Sequence, residues 1–208
     1  MKLVALCGKA GVGKTTVGTL LEREHQFTAI ALADPMKRFL QDVFKLTYMT
    51  LWGPSECRNE DLGIGTYNGE PITARVLLQT LGTEWGQAMC KDVWVNYALG
   101  EVEKLKGRYT VYGPTSGTKY SHKWDVPRSG VVITEVRFQH EVDALILKGA
   151  DFIHIHRAVD PLPGKAATHA SEAGVDLKDA NVLHIVNDGS LDDLKRQVAF
   201  AVEHLRER

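Results

Sequence analysis

Cysteine is scarce: the three residues Cys7, Cys57 and Cys90 are odd in number, far apart and lack C-x-x-C spacing. That pattern supports neither a disulfide framework nor a zinc site, and it suits a reducing cytosol. No hydrophobic run reaches the length of a membrane span. The opening MKLVALCGKAG runs directly into the glycine-rich segment that ends at Gly13, so it is not expected to be a removable signal. Charge of one sign is also missing, since 25 Lys and Arg face 26 Asp and Glu, for a formal net charge of -1 and a pI of about 6.7. A chain of this balance has no global basic field to hold a nucleic-acid backbone, so no polymer partner is expected and a small-molecule partner is favoured. Internal repeats and low-complexity tracts are absent too. What remains is a chain of 208 residues, 44% hydrophobic, long enough for one α/β domain (1–208) with insertions and expected in the cytoplasm.

The most informative segment is Gly8-Lys9-Ala10-Gly11-Val12-Gly13-Lys14-Thr15, which reads G-x-x-x-x-G-K-T. It follows the apolar run Leu3–Cys7 and precedes an amphipathic stretch, the strand-to-helix setting that a phosphate loop requires. The glycines let backbone N–H groups converge on phosphate oxygens, Lys14 supplies a cation to the β- and γ-phosphates, and the Thr15 hydroxyl can ligate Mg2+. An NTP, ATP first, is the expected donor.

Apolar periodicity predicts strands over 2–7, 27–32, 131–134, 152–156 and 182–186, with helices over 14–25, 34–46, 71–85, 88–106, 138–148 and 190–206. Residues 52–70, with Gly53-Pro54, Gly63, Gly65 and Asn68-Gly69, read as a loop. Residues 107–129 read as an exposed β-hairpin insertion. Alternating β and α elements imply a central parallel five-stranded sheet with helices on both faces. Ligands of such sheets sit at the carboxyl ends of the strands, and each exit here carries a charge.

The third strand exits into Glu135-x-Arg137-x-x-x-Glu141. Glu135 stands where P-loop enzymes keep an acid near Mg2+, Arg137 can hold an acceptor phosphate bidentately, and Glu141 can accept a hydrogen bond from a sugar or base; a simple Arg–Glu pair one turn apart is the competing reading. The second strand exits into Asp34-Pro35-Met36-Lys37-Arg38, where Asp34 fits an N-cap and Pro35 the first helical position. Cations at a helix start ask for a nearby anion, so Lys37 is a candidate for acceptor phosphate, with a solvated pair as the alternative. In the helix over 71–85, Arg75, Gln79, Gly82 and Gly86 share a stripe that either meets a ligand closely or faces solvent. Trp94 offers a plane on which a base can stack, although tryptophan at helical spacing is also a core residue. His154 and His156 share a strand face, but with no third ligand in view they read as structural. His169-Ala170-Ser171-Glu172 reads as a helix start or a lid edge.

Together GKAGVGKTT, ALADPMK, ARVLLQTLGTEWG, DVWV, VVITEVRFQHE, IHIHR and HASE, in this order, resemble the bacteriophage deoxynucleoside monophosphate kinases over nearly the whole chain except 107–129. The resemblance implies the P-loop nucleoside monophosphate kinase fold, a three-layer α/β sandwich, and transfer of the ATP γ-phosphate to a dNMP. By it Lys14, Thr15 and Thr16 resemble the nucleotide and Mg2+ site; the loop motif adds Gly8, Ala10, Gly11, Val12 and Gly13 at the nucleotide, and the strand exit adds Glu135 beside Thr15 at Mg2+. Arg75, Trp94, Arg137 and Glu141 resemble the residues around the deoxynucleotide, and the readings of the helix start and of the 71–85 stripe add Asp34, Lys37 and Gln79 as substrate-binding candidates. Glu135 stands where the family more often has Asp, and the extra methylene moves its carboxylate. Lys14, Glu135, Arg137 and Arg157 form the expected catalytic group, Arg157 on the donor side or at the transferring phosphate. Segment 158–172 is expected to close over the site and exclude water. The 107–129 hairpin would serve as a homodimer contact or as a substrate cover.

Two other classes fit parts of the pattern. One is a P-loop kinase of another small acceptor, such as gluconate, shikimate or dephospho-coenzyme A. The other is a nucleotide-dependent switch or ATPase motor. No N-K-x-D motif supports a guanine switch, and the single acid after Val131–Thr134 gives a motor little support.

Overall fold

The computed structural model describes residues 1–106, 110–112, 119–121, 129–158 and 174–207. These residues group into two compact units, Met1–Ala31 with Val95–Arg208, and Leu32–Trp94.

The first unit is built on a five-stranded sheet of order β2-β7-β1-β8-β9, parallel throughout. Its strands are β1 (Lys2–Cys7), β2 (Phe27–Ala31), β7 (Gly130–Thr134), β8 (Asp151–His156) and β9 (Asn181–Val186). The intervening strands, β3 to β6, form two separate hairpins. β1 is central because Val4 to Cys7 are fully buried, and only a strand covered on both faces tolerates such a continuous apolar run. Two helices lead away from the inner strands, α1 (Lys14–His25) from β1 leftward to β2 and α6 (Gln139–Ile146) from β7 rightward to β8. Right-handed crossovers that run in opposite directions put their helices on opposite faces, which makes three layers. On one face Val4, Leu6, Ile153, Ile155 and Ile185 pack against α1 and against α7 (Leu191–Glu207) through Val17, Leu21, Leu194, Val198 and Leu205.

Both edges of the sheet carry a side chain on the outer backbone. On β2 the Glu22 carboxylate accepts the Ala29 N–H at 3.0 Å. On β9 the Gln197 amide both accepts from the Val186 N–H at 2.9 Å and donates to the Val186 carbonyl at 2.8 Å.

The second unit holds α2 (Asp34–Phe44), α3 (Tyr48–Trp52), a 3-10 turn at Ser55–Asn59, the hairpin β3 (Asp61–Tyr67) and β4 (Glu70–Thr73), α4 (Ala74–Gln79) and a π-helical stretch at Thr80–Gln87. Leu40, Leu51 and Ala74 form its small core, with Leu46, Trp52 and Leu77 packed around them. The expected loop over 52–70 is therefore partly strand. Tyr67 pairs with Glu70 across Asn68-Gly69, whose φ angles of 51° and 80° are those of the two-residue turn that joins twisted strands. Gly63 and Gly65 mimic loop residues because they sit in the irregular stretch of β3 between Asp61 and Thr66, with positive φ.

Helix α5 (Val93–Leu105) starts later than the periodicity over 88–106 suggests. In the 107–129 insertion, β5 (Thr110–Tyr112) and β6 (Lys119–Ser121) pair antiparallel, as expected of a hairpin. Of the expected lid over 158–172 only Ala158 is among the described residues, and His169, Ser171 and Glu172 lie outside them.

Candidate active site

β1 delivers the chain into the phosphate loop at Gly8, and the three loop glycines take φ angles of 134°, 76° and 105° at Gly8, Gly11 and Gly13. Between them Ala10 and Val12 are buried and anchor the turn from inside. Gly13 precedes the first turn of α1, where its carbonyl accepts the Val17 N–H at 3.0 Å. Lys14 is 7% exposed, and its ammonium donates to the carbonyls of Gly8 at 2.5 Å and Lys9 at 2.7 Å. The cation is thus held by the loop's own backbone, at the helix start where a phosphate is favoured. Thr15 and Thr16 are exposed on the first turn of α1. The loop is tied to β9 by Asn187, a residue the motif does not include: its amide donates to the Val12 carbonyl at 2.8 Å, while its own N–H bonds the His156 carbonyl at 2.8 Å. Just before the loop, burial pushes the Cys7 thiol up to about 12, the Lys14 charge working against it, so this cysteine is a packing residue.

The exit of β7 is strained. Glu135 has φ of 67°, a left-handed conformation that costs a non-glycine residue about 1–2 kcal/mol. Such strain persists where surrounding structure imposes it, commonly at functional sites. Glu135 has other contacts, but its Oε2 atom is buried and accepts no hydrogen bond. Arg137 is half-buried two residues on.

Glu141 is 3% exposed, and its Oε2 accepts the backbone N–H groups of Arg137 at 2.8 Å and Phe138 at 3.1 Å. This is the acidic half of a capping box, closing the start of α6 over a residue whose own side chain cannot cap. Arg137 and Glu141 are therefore brought together, but through the Arg137 backbone, and Glu141 offers a nucleotide little surface. Burial raises the Glu141 carboxyl to about 6, outweighing the two backbone bonds. The folded protein holds this proton more tightly than the unfolded chain. Stability from this group is therefore greatest below about pH 4.5, and about 2 kcal/mol of it is lost as pH rises through 6. Glu141→Gln keeps an acceptor for the cap and should abolish that pH-dependent part; urea unfolding of both proteins at pH 4.5 and 6.5 measures the difference. Identical pH dependence would refute the assignment.

Arg157, just past β8, places Nη1 3.5 Å from the Gly11 carbonyl, a long contact that brings its guanidinium to the phosphate loop. The same strand presents His154 and His156, joined by His184 of β9: His156 Nε2 lies 2.9 Å from His184 Nδ1. Burial first, then His156, His184 and Lys14, pull the His154 imidazole down to about 4.

In the second unit the expected cap at Asp34 is displaced by one residue. Ala33 occupies the cap position without a side-chain bond, and Asp34 begins α2 with its carboxylate accepting the Trp52 indole N–H at 3.1 Å. Lys37 is 7% exposed, with its ammonium 6.0 Å from the centre of the Trp52 ring. A tryptophan face thus supplies some of the negative potential that a cation at a helix start requires. Trp52 stacks in turn on Tyr48, their centroids 5.3 Å apart.

Arg75 lies in the first turn of α4, where Asn59 Oδ1 accepts from its Nε at 2.5 Å. Gln79 is half-buried at the end of the same helix. The close approach at Gly82 and Gly86 comes from within the unit: a Cβ on Gly86 would lie 2.5 Å from the Trp94 ring, and one on Gly82 would lie 3.0 Å from the Met36 sulfur. Trp94 also donates its indole N–H to the Gly82 carbonyl at 2.8 Å, so the π-helical stretch positions the ring that the sequence suggests for base stacking. Asn59, Trp52 and Asn187 carried no motif signal, because each works through one contact with a segment distant in sequence.

Among known proteins, the chain is 27% identical to a putative deoxynucleotide monophosphate kinase of Acanthamoeba polyphaga mimivirus, over 98% of this chain and 97% of that one. It is 30% identical to the deoxynucleotide monophosphate kinase of Enterobacteria phage T4 over 59% of this chain, an alignment that spans 42% of the phage protein. A dephospho-CoA kinase from Campylobacter jejuni aligns over 100% of this chain and 98% of its own length, with 14% identity and a TM-score of 0.49. The model of the family described as deoxynucleotide monophosphate kinase matches residues 58–198, a range that starts after the phosphate loop and so is independent of it. With the loop folded on β1 and the match covering more than half of the chain, the protein belongs to the deoxynucleotide monophosphate kinase family.

Proposed function

We propose that this chain transfers the γ-phosphate of ATP to the 5′-phosphate of a deoxynucleoside monophosphate, giving ADP and a dNDP. The observation that carries the reading is the Lys14-bearing phosphate loop at the start of α1 in a chain of this family. An acceptor phosphate oxygen is already a nucleophile, so the reaction needs in-line alignment and charge neutralisation rather than a strong base. Lys14 exchanges its Gly8 and Lys9 carbonyl partners for phosphate oxygens, while the glycine-rich backbone holds the rest of the triphosphate. Arg157 serves the donor side, close to Gly11. Arg137 takes the acceptor phosphate; Arg75, oriented by Asn59, together with Gln79 and the Trp94 ring, receives the deoxynucleotide. Asp34 and Lys37 act through Trp52, and Glu141 acts as the cap that shapes the Arg137 turn.

Mg2+ belongs to the same reading. The exposed Thr15 hydroxyl and the Glu135 carboxylate are hard oxygen donors of the kind Mg2+ takes. Bound there, the ion would neutralise charge on the β- and γ-phosphates. Both units form one kinase domain over 1–208. The protein works in the cytoplasm, without a nucleic-acid polymer, and the hairpin at 107–129 is its dimer contact or substrate cover. No described helix is long and apolar enough to cross a membrane.

The deciding experiment measures ADP release from ATP with a panel of dNMPs, NMPs, gluconate and dephospho-coenzyme A. Stimulation by at least one dNMP is expected. If no nucleotide stimulates release while gluconate or dephospho-coenzyme A does, the chain is a kinase of another acceptor.

A further inference from the structure

Three histidines that the phosphoryl-transfer reading does not use meet on one face of the sheet. His154 and His156 are two residues apart on β8, so both point to the face opposite the one packed against α1 and α7. β9 runs parallel beside it with His184 in register with His154, which puts the third imidazole on that same face. His-x-His alone offers two ligands, and the sheet supplies the third from 28 residues further along the chain.

We infer that His154, His156 and His184 form a binding site for a divalent late-transition-metal ion, zinc first, with a coordination position left open. One ring nitrogen from each histidine lies within 4.8 Å of those offered by the other two. Two nitrogens bound tetrahedrally to zinc at about 2.0–2.1 Å are about 3.3 Å apart. His156 Nε2 and His184 Nδ1 stand at 2.9 Å, so a few tenths of an ångström of opening admits an ion between them. His154 needs only a turn of its ring, since its centroid is 4.1 Å from that of His156 and 5.8 Å from that of His184. The three are carried by paired strands, a stiffer frame than a loop, and His184 is exposed, which gives an ion its entry. Imidazole selects zinc, cobalt, nickel or copper over magnesium, so the site is chemically distinct from the oxygen donors proposed for Mg2+.

The site stands or falls independently of the kinase reaction and is tested by binding. Untagged full-length protein, treated with chelator and dialysed, is titrated with Co2+ while visible absorption is recorded, then with Zn2+ by calorimetry. One equivalent of each is expected, with cobalt d–d bands, no thiolate-to-cobalt charge-transfer band, and no displacement by millimolar Mg2+. His184→Ala should weaken Zn2+ binding at least about tenfold, and His156→Ala/His184→Ala should remove the stoichiometric site. His204→Ala, on α7, should bind as the parent does, and circular dichroism confirms that each variant is folded. Absence of one-to-one binding, a thiolate band, or a folded double variant that still binds one equivalent overturns the inference.

Discussion

Lys14→Ala should lower kcat for transfer to a dNMP by at least about 10²–10³-fold, the range seen when one preorganised stabiliser of transition-state charge is removed. The loss should exceed any change in KM for the acceptor, because the transferring phosphoryl group gathers charge where the ammonium stands. Structure makes this position hard to substitute. A buried ammonium held by two loop carbonyls is already desolvated, so turning to phosphate oxygens replaces one set of oxygen partners with another. Lys14→Arg should recover little, since a planar fork does not fit a slot made for a point charge. A coupled ADP-release assay, with circular dichroism to confirm folding, measures the effect. An alanine variant within about tenfold of the parent would contradict the assignment.

Gly8→Ala should be the most damaging single-methyl change in the first unit. A Cβ there would lie 2.4 Å from the Ile155 carbonyl oxygen and 3.0 Å from Val12, and Gly8 has φ of 134°. The obstacle is main chain in β8, which cannot turn aside as a side chain can. A cost of about 2–4 kcal/mol is expected, the sum of backbone strain and a displaced loop. Gly149 is the control: its φ is 72° but the space around it is open, so Gly149→Ala isolates the conformational cost, about 1–2 kcal/mol. Chemical denaturation of the two variants should rank them in that order, and only Gly8→Ala should also lose ATP affinity. Equal destabilisation would mean that the contact with Ile155 is harmless.

Much of the fold was legible because strand, loop and helix at the phosphate site are consecutive in the chain. The five parallel strands were legible as well, each being a short apolar run bounded by polar or turn-forming residues. What escaped was of two kinds. Some local patterns carried a misleading cue: glycines inside β3 resembled a loop, and Phe138, whose side chain cannot cap, gave no sign that Glu141 closes the start of the helix expected over 138–148. Asp34 looked like a cap because its type and its proline neighbour fit, yet the indole of Trp52 drew its carboxylate elsewhere. Other features depend on strand order, which spacing alone cannot supply. His184 becomes a neighbour of His154 only once β9 lies beside β8, and Asn187 reaches Val12 from the far side of the sequence. Arg75 stood out in the sequence on its helical stripe, but the residue that holds it, Asn59, had no periodicity to announce it.

The two side chains on the outer strands have a consequence for self-association. An unprotected border strand is a template on which another copy can continue hydrogen bonding. Here the Glu22 carboxylate occupies the outward N–H of Ala29, and the Gln197 amide imitates a sixth strand at Val186, satisfying its donor and acceptor together. Each is delivered by a helix already packed on the sheet, so exposing either border means lifting that side chain away from its backbone partner. Copies of this chain are accordingly expected to meet, if they meet, through side-chain surfaces rather than by extending one sheet into the next, and removing Gln197 is the change that would reopen that route.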